Sequence, residues 1–153
     1  MRRAGLVLAA AALLAFAQAH AYLESSTPAG GAVLDAAPGT LVLEFSEELE
    51  VGFSTFKLFR LEDAPDGADE DHAAKLNGMA ALLVTEVIGT SGPDDRALAF
   101  ELAPGQGRSA KVTLTPAEPL APGSYVLMWR VLSVDTHTLQ DYVTFTVLEP
   151  APR

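Results

Sequence analysis

From residue 20 onward, apolar and polar positions alternate in short runs, and Gly, Pro, Asp or Ser closes most of them. This pattern predicts strands near Ala21–Ser25, Thr40–Phe45, Ser54–Leu61, Ala81–Val87, Ala97–Leu102, Lys111–Thr115, Ser124–Ser133 and Tyr142–Leu148. The clearest alternation puts Tyr125, Leu127, Trp129 and Val131 on one face, and Val126, Met128 and Arg130 on the other. Helical periodicity is hard to find in the same stretch. Thr27-Pro28-Ala29-Gly30-Gly31 and Ala121-Pro122-Gly123 carry proline early and glycine late, which is β-turn chemistry. Glu62–Lys75 and Gly89–Arg96 read as long exposed loops. Seven or eight short strands predict an all-β fold, a single antiparallel Greek-key sandwich or barrel of immunoglobulin-like type. Trp129 is expected in its core.

The first nineteen residues break the pattern. Met1-Arg2-Arg3 is basic, Gly5 through Phe16 is apolar, and Ala17-Gln18-Ala19 is a small-x-small signal-peptidase site. The expected division is a signal peptide over 1–19 and one exported domain over 20–153. The apolar run is shorter than the ~20 residues that span a bilayer, and no later segment is a candidate, so no direct membrane insertion is expected. Cleavage after Ala19 makes His20 the first mature residue. A terminal histidine offers a metal two nitrogens, its α-amine and Nδ1.

Composition narrows the chemistry. With no cysteine, the chain has no disulfide, no thiolate zinc site, no iron–sulfur cluster and no blue-copper centre. The formal net charge is −10, and loss of Arg2 and Arg3 takes it to −12. That argues against nucleic acid and anionic membrane surfaces as partners. It suits attraction of cations, and equally the solubility of an exported protein.

Asp135-Thr136-His137 is the candidate partner for His20. Copper(II) prefers nitrogen ligands in a tetragonal plane and stands at the top of the divalent affinity series. His20 can fill two corners of that plane and His137 a third, while Asp135 or water completes the plane or lies on its axis. In an extended segment, i and i+2 project to one side, so Asp135 and His137 can face one ion. A hydrogen-bonded or solvated Asp-x-His pair without metal is the competing reading. His72, with Asp69 and Asp71, is expected in a solvated loop, since the spacing does not fit an EF-hand.

The flanking residues carry a resemblance. His20-Ala21-Tyr22-Leu23-Glu24-Ser25-Ser26-Thr27-Pro28-Ala29-Gly30 is similar to the mature start of the bacterial CopC (copper-resistance protein C) family. Leu43-Glu44-Phe45-Ser46-Glu47, Leu114 to Tyr125, and Trp129-Arg130-Val131-Leu132-Ser133-Val134-Asp135-Thr136-His137 resemble later blocks of it, and the likeness runs from His20 to about Val147. The resemblance implies a periplasmic β-sandwich of cupredoxin-like shape that binds one copper(II) ion through His20, Asp135 and His137. It places Glu47 just outside the ligands, where a carboxylate can orient the bound amine or a water; an ordinary turn acid beside Glu48 and Glu50 is the alternative. It implies a carrier or buffer in copper homeostasis or resistance rather than an enzyme. The partner it implies is a CopD-type inner-membrane copper transporter or a multicopper oxidase, and the expected state is a monomer. Some members carry a methionine-rich copper(I) loop. Here Glu62–His72 has no thioether, so only the copper(II) site is expected. Where relatives continue after the histidine with Pro and a later Gly, this chain has Thr138-Leu139-Gln140-Asp141. Two other functions remain open: a non-metal immunoglobulin-like interaction domain, which would tolerate loss of Asp135 and His137, and a copper monooxygenase. In the latter, Asp135 would occupy space that oxygen needs, and aromatics for stacking on sugars are few.

Overall fold

In the computed structural model, which describes residues 21–65 and 71–150, the alternation at Tyr125–Val131 is the centre of the molecule. It lies on β7 (Gly123–Leu132), flanked by β4 (Thr55–Leu61) and β8 (Thr138–Val147); β2 (Ala32–Leu34) closes the far side of β8 in parallel. The facing sheet has the order β1-β3-β6-β5, with β1 (Leu23–Thr27), β3 (Leu41–Glu50), β5 (Phe100–Ala103) and β6 (Arg108–Pro116). Every pairing except β2–β8 is antiparallel. The expected sandwich is therefore present, with eight strands among the described residues.

Two faces of β7 build two cores. Tyr125, Leu127, Trp129 and Val131 meet Leu41, Leu43, Phe45, Val112 and Leu114 of the other sheet. The Trp129 ring stands edge-on to Phe45 at 5.9 Å and 84°, a favoured quadrupole arrangement. Tyr125 stacks on Phe145 at 5.3 Å, and its hydroxyl donates to the Ala121 carbonyl. At the turn into β7, Gly123 has φ +150, and a Cβ there would lie 2.7 Å from Arg60 Nε. Only glycine suits that corner.

The opposite face of β7 carries the main departure from the sequence reading. Ala81–Val87 is not a strand; it ends a helix, α1 (His72–Val87). Leu76, Ala80, Val84 and Val87 are its buried stripe, packed with Phe59, Leu61, Val126 and Met128. The i, i+4, i+8, i+11 spacing is helical. It is hidden because Met79 to Val84 is an unbroken apolar run, which reads equally as a buried strand, although Leu82 is 76% exposed. The ammonium of Lys57 on β4 holds the helix end, donating to the Val87 and Thr90 carbonyls at 2.5 and 3.0 Å. A cation there satisfies orphan carbonyls and complements the helix dipole.

His72 is likewise not in a solvated loop. It is the first residue of α1 and is buried, with Nδ1 3.0 Å from the Pro65 carbonyl and Nε2 3.2 Å from Thr146 Oγ1. The carbonyl can only accept, so Nδ1 carries a proton. The expected loop over Glu62–Lys75 therefore ends at residue 71, and Asp69 lies outside the described residues. Gly89–Arg96 is irregular, as expected. No helix among the described residues is long and apolar enough to cross a membrane.

Candidate metal centre

Ser46, Glu48 and Leu49 of β3 tie the start of the described domain to the loop between β7 and β8. Ser46 receives the start of the domain: its amide donates to the Tyr22 carbonyl at 2.9 Å, and its hydroxyl accepts from the Tyr22 amide at 3.1 Å. Ala21, just before, is buried in the inter-sheet core. Glu48 receives the loop between β7 and β8, its carbonyl accepting from the Val134 amide at 3.3 Å, and Leu49 bridges to Ser133. Glu47 stands between these anchors. The segment falls where β3 leaves regular register, between Glu44 and Leu49 in its pairing with β6. Such an irregularity lets a strand re-aim a side chain.

Glu47 Oε1 is buried and has no hydrogen-bond partner among the described residues. A desolvated carboxylate oxygen without a donor is costly, and natural proteins rarely leave one.

The β7–β8 hairpin presents Asp135 and His137. Ser133 and His137 close it, the Ser133 amide donating to the His137 carbonyl at 2.9 Å, and the Thr136 amide donates to the Ser133 carbonyl at 3.0 Å. Thr136 has φ +76, an uncommon place for a β-branched residue. A turn followed by a left-handed residue is a recurrent hairpin connection. Asp135 and His137 therefore share a side because the chain turns, not because it is extended as the sequence reading supposed. β8 begins at once at Thr138, so the altered sequence after His137 continues the hairpin.

Within the loop, His137 Nδ1 lies 2.8 Å from Asp135 Oδ2. Asp135 Oδ1 accepts from the Ser133 hydroxyl and, at 3.1 Å, from the His137 amide. These donors, the Ser133 hydroxyl foremost and then the His137 amide, hold the Asp135 carboxyl down to about 2. The imidazole is 60% exposed at its side chain and Asp135 30%, so the pair is open to an incoming ion.

The carboxyl's normal value is 3.8, so its charged form favours the folded state, and that contribution is complete above about pH 4. It fades as acid takes the pH down through about 2. In urea unfolding of metal-free protein, the wild type is expected to exceed Asp135→Asn at pH 5 and to converge on it near pH 2. A gap that stays constant across that window would rule out the depressed carboxyl.

His20 and the segment 1–19 lie outside the described residues. Among the described residues no three His, Asp or Glu side chains gather as a metal cluster, and Asp135 and His137 meet as a pair. Sequence reasoning missed Ser133, the buried donor behind Asp135. Its place two residues before the aspartate, at the end of a strong strand, was the available signal.

A family model described as the CopC domain matches residues 23–86 and 76–148. The chain belongs to the CopC family. It is 36% identical over 134 residues to Copper resistance protein C of Pseudomonas syringae pv. tomato, covering 87% of this chain and 84% of that one. It is 34% identical over 131 residues to Copper resistance protein C of Escherichia coli, covering 86% and 83%. The crystal structure of Escherichia coli PcoC, a methionine-rich copper resistance protein, matches with a TM-score of 0.57 at 31% identity, over 84% of this chain and 99% of that one. Methionines are few in the present CopC-family chain. Met128 is fully buried and Met79 packs beside it, both between helix and sheet.

Proposed function

We propose that this CopC-family protein is an exported copper(II) carrier or buffer, with one ion held by the His20 amine and Nδ1, Asp135 and His137. The observation that carries the reading is the hairpin that sets His137 Nδ1 2.8 Å from Asp135 Oδ2, on the loop that Glu48 and Leu49 hold against β3. Two neighbouring corners of a square plane with bonds of about 2.0 Å lie about 2.8 Å apart. In the metal-free protein the His137–Asp135 contact is a hydrogen bond, and an ion entering between the two groups would displace its proton with little change in their spacing. The Ser46 and Glu48 anchors bring the start of the domain to the same strand segment. Glu47 Oε1 supplies an acceptor for a bound amine or an axial water, which a non-metal sandwich would have no reason to leave unpaired.

The signal-peptide reading of residues 1–19 sends the chain to the periplasm, and its cleavage there frees the amine of His20. Only nitrogen and oxygen donors are offered, so the site holds copper(II) and loosens on reduction to copper(I). Release on reduction suits delivery to a CopD-type membrane transporter or a multicopper oxidase. With Asp135 in the coordination plane and copper as cargo, the protein is a monomeric carrier and not an enzyme.

A copper(II) titration of protein beginning at His20, read by electron paramagnetic resonance, tests this. One equivalent with nitrogen hyperfine structure is expected. Affinity should fall as pH drops through the amine range of ~7.7–8.0 and then the imidazole range near ~6.5, because protons compete for the same lone pairs. Asp135, ionised down to about pH 2, adds nothing to that fall. Weak binding, or an affinity flat between pH 8 and 6, would overturn the site.

A further inference from the structure

Ser133 is 2% exposed, a buried polar residue at the end of β7. Its amide is used by His137 and its carbonyl by Thr136, so the backbone alone closes the hairpin. The hydroxyl is spent on one atom, Asp135 Oδ1. The His137 amide donates to that same oxygen at 3.1 Å. Oδ1 is therefore held from two sides by the loop, while Oδ2 is turned to His137 Nδ1 at 2.8 Å.

We infer that Ser133 is a positioning residue that makes Asp135 a one-oxygen ligand, locking Oδ1 so that only Oδ2 faces the metal. This rests on the copper(II) site proposed above and deepens it. A carboxylate free to rotate about its Cβ–Cγ bond can present both oxygens, which adds a fifth contact and tilts the ion out of a square plane. A carboxylate with one oxygen tied to two donors cannot do so without breaking both bonds. Hydrogen bonds to a charged group are stronger than neutral ones, and ligand-orienting partners of this kind typically tune affinity by 10–100-fold. The depressed carboxyl of Asp135 fits the same picture, since both donors bind its charged form.

The test is Ser133→Ala in protein beginning at His20, with copper(II) affinity and the electron paramagnetic resonance spectrum as readouts. A roughly tenfold loss of affinity is expected, with a shifted spectrum and little change in melting temperature. The same substitution in an Asp135→Ala background is expected to add nothing, because Ser133 acts only through that carboxylate. If Ser133→Ala proves too unstable to measure, Ser133→Thr and Ser133→Val decide: the two have nearly one shape, and only the first keeps the hydroxyl. Threonine should then retain the wild-type spectrum and valine should lose it. An unchanged spectrum and affinity in the hydroxyl-free variant would overturn the inference, as would an equal loss in the Asp135→Ala background. Absence of tight copper binding in the unmutated protein would instead overturn the site itself, so the two failures are told apart.

Discussion

A chain carrying one extra residue before His20 is expected to lose copper(II) affinity by on the order of a hundredfold or more, with its fold unchanged. The reason is covalent. In the extended chain the nitrogen of His20 is a peptide amide, which has no basic lone pair to offer and leaves an imidazole alone where a chelate stood. The fold should survive, because Ala21 is held in the core and Tyr22 by two hydrogen bonds to Ser46. Isothermal titration against copper(II) with a competing chelator, on matched chains starting at His20 and one residue earlier, makes the comparison. Equal affinities would remove the terminal amine from the site, and with it the need for processing before function.

His137→Ala is expected to have the second large effect, again on the order of a hundredfold or more in copper(II) affinity. Its stability cost should be small. The imidazole is mostly exposed, and the hairpin is closed by the residue's amide and carbonyl, which alanine keeps. Asp135→Ala should shift the copper spectrum more than it lowers affinity, since the nitrogens carry most of the bonding to copper(II). Spectra of both variants, recorded at one equivalent of copper, separate these roles. If both match the wild type, this loop does not bind the ion.

The two strands that frame the site were legible for different reasons. β7 announces itself by strict alternation, and the structure places Trp129 in the core where the pattern put it. Asp135 and His137 were singled out by residue type and position, and they do meet, but the reason offered, an extended segment, was wrong. A positive φ at Thr136 does the work, and no local propensity of threonine signals it. Helix α1 was misread because an unbroken apolar run, Met79 to Val84, hides its period. Its identity is decided by burial against Phe59, Val126 and Met128, residues from two other elements. His72 was misplaced with it, since a polar residue in an acidic stretch looks solvated until Thr146 is brought beside it from 74 positions away.

By itself, the sequence determined which donors the chain can offer. With no cysteine and few methionines, they are mainly the imidazoles and carboxylates, which are hard or borderline ligands. It also determined an all-β sandwich, because strand alternation is a local property that survives without knowledge of partners. The tertiary structure alone decided that Ser46 and Glu48 gather the start of the domain and the β7–β8 loop, that Glu47 Oε1 is stripped of water without a donor, and that Ser133 stands behind Asp135. Desolvation and hydrogen-bond direction depend on what the rest of the fold packs around an atom. Tyr22 and Ser46 are 24 residues apart and their meeting is set by sheet register, which no window along the chain contains.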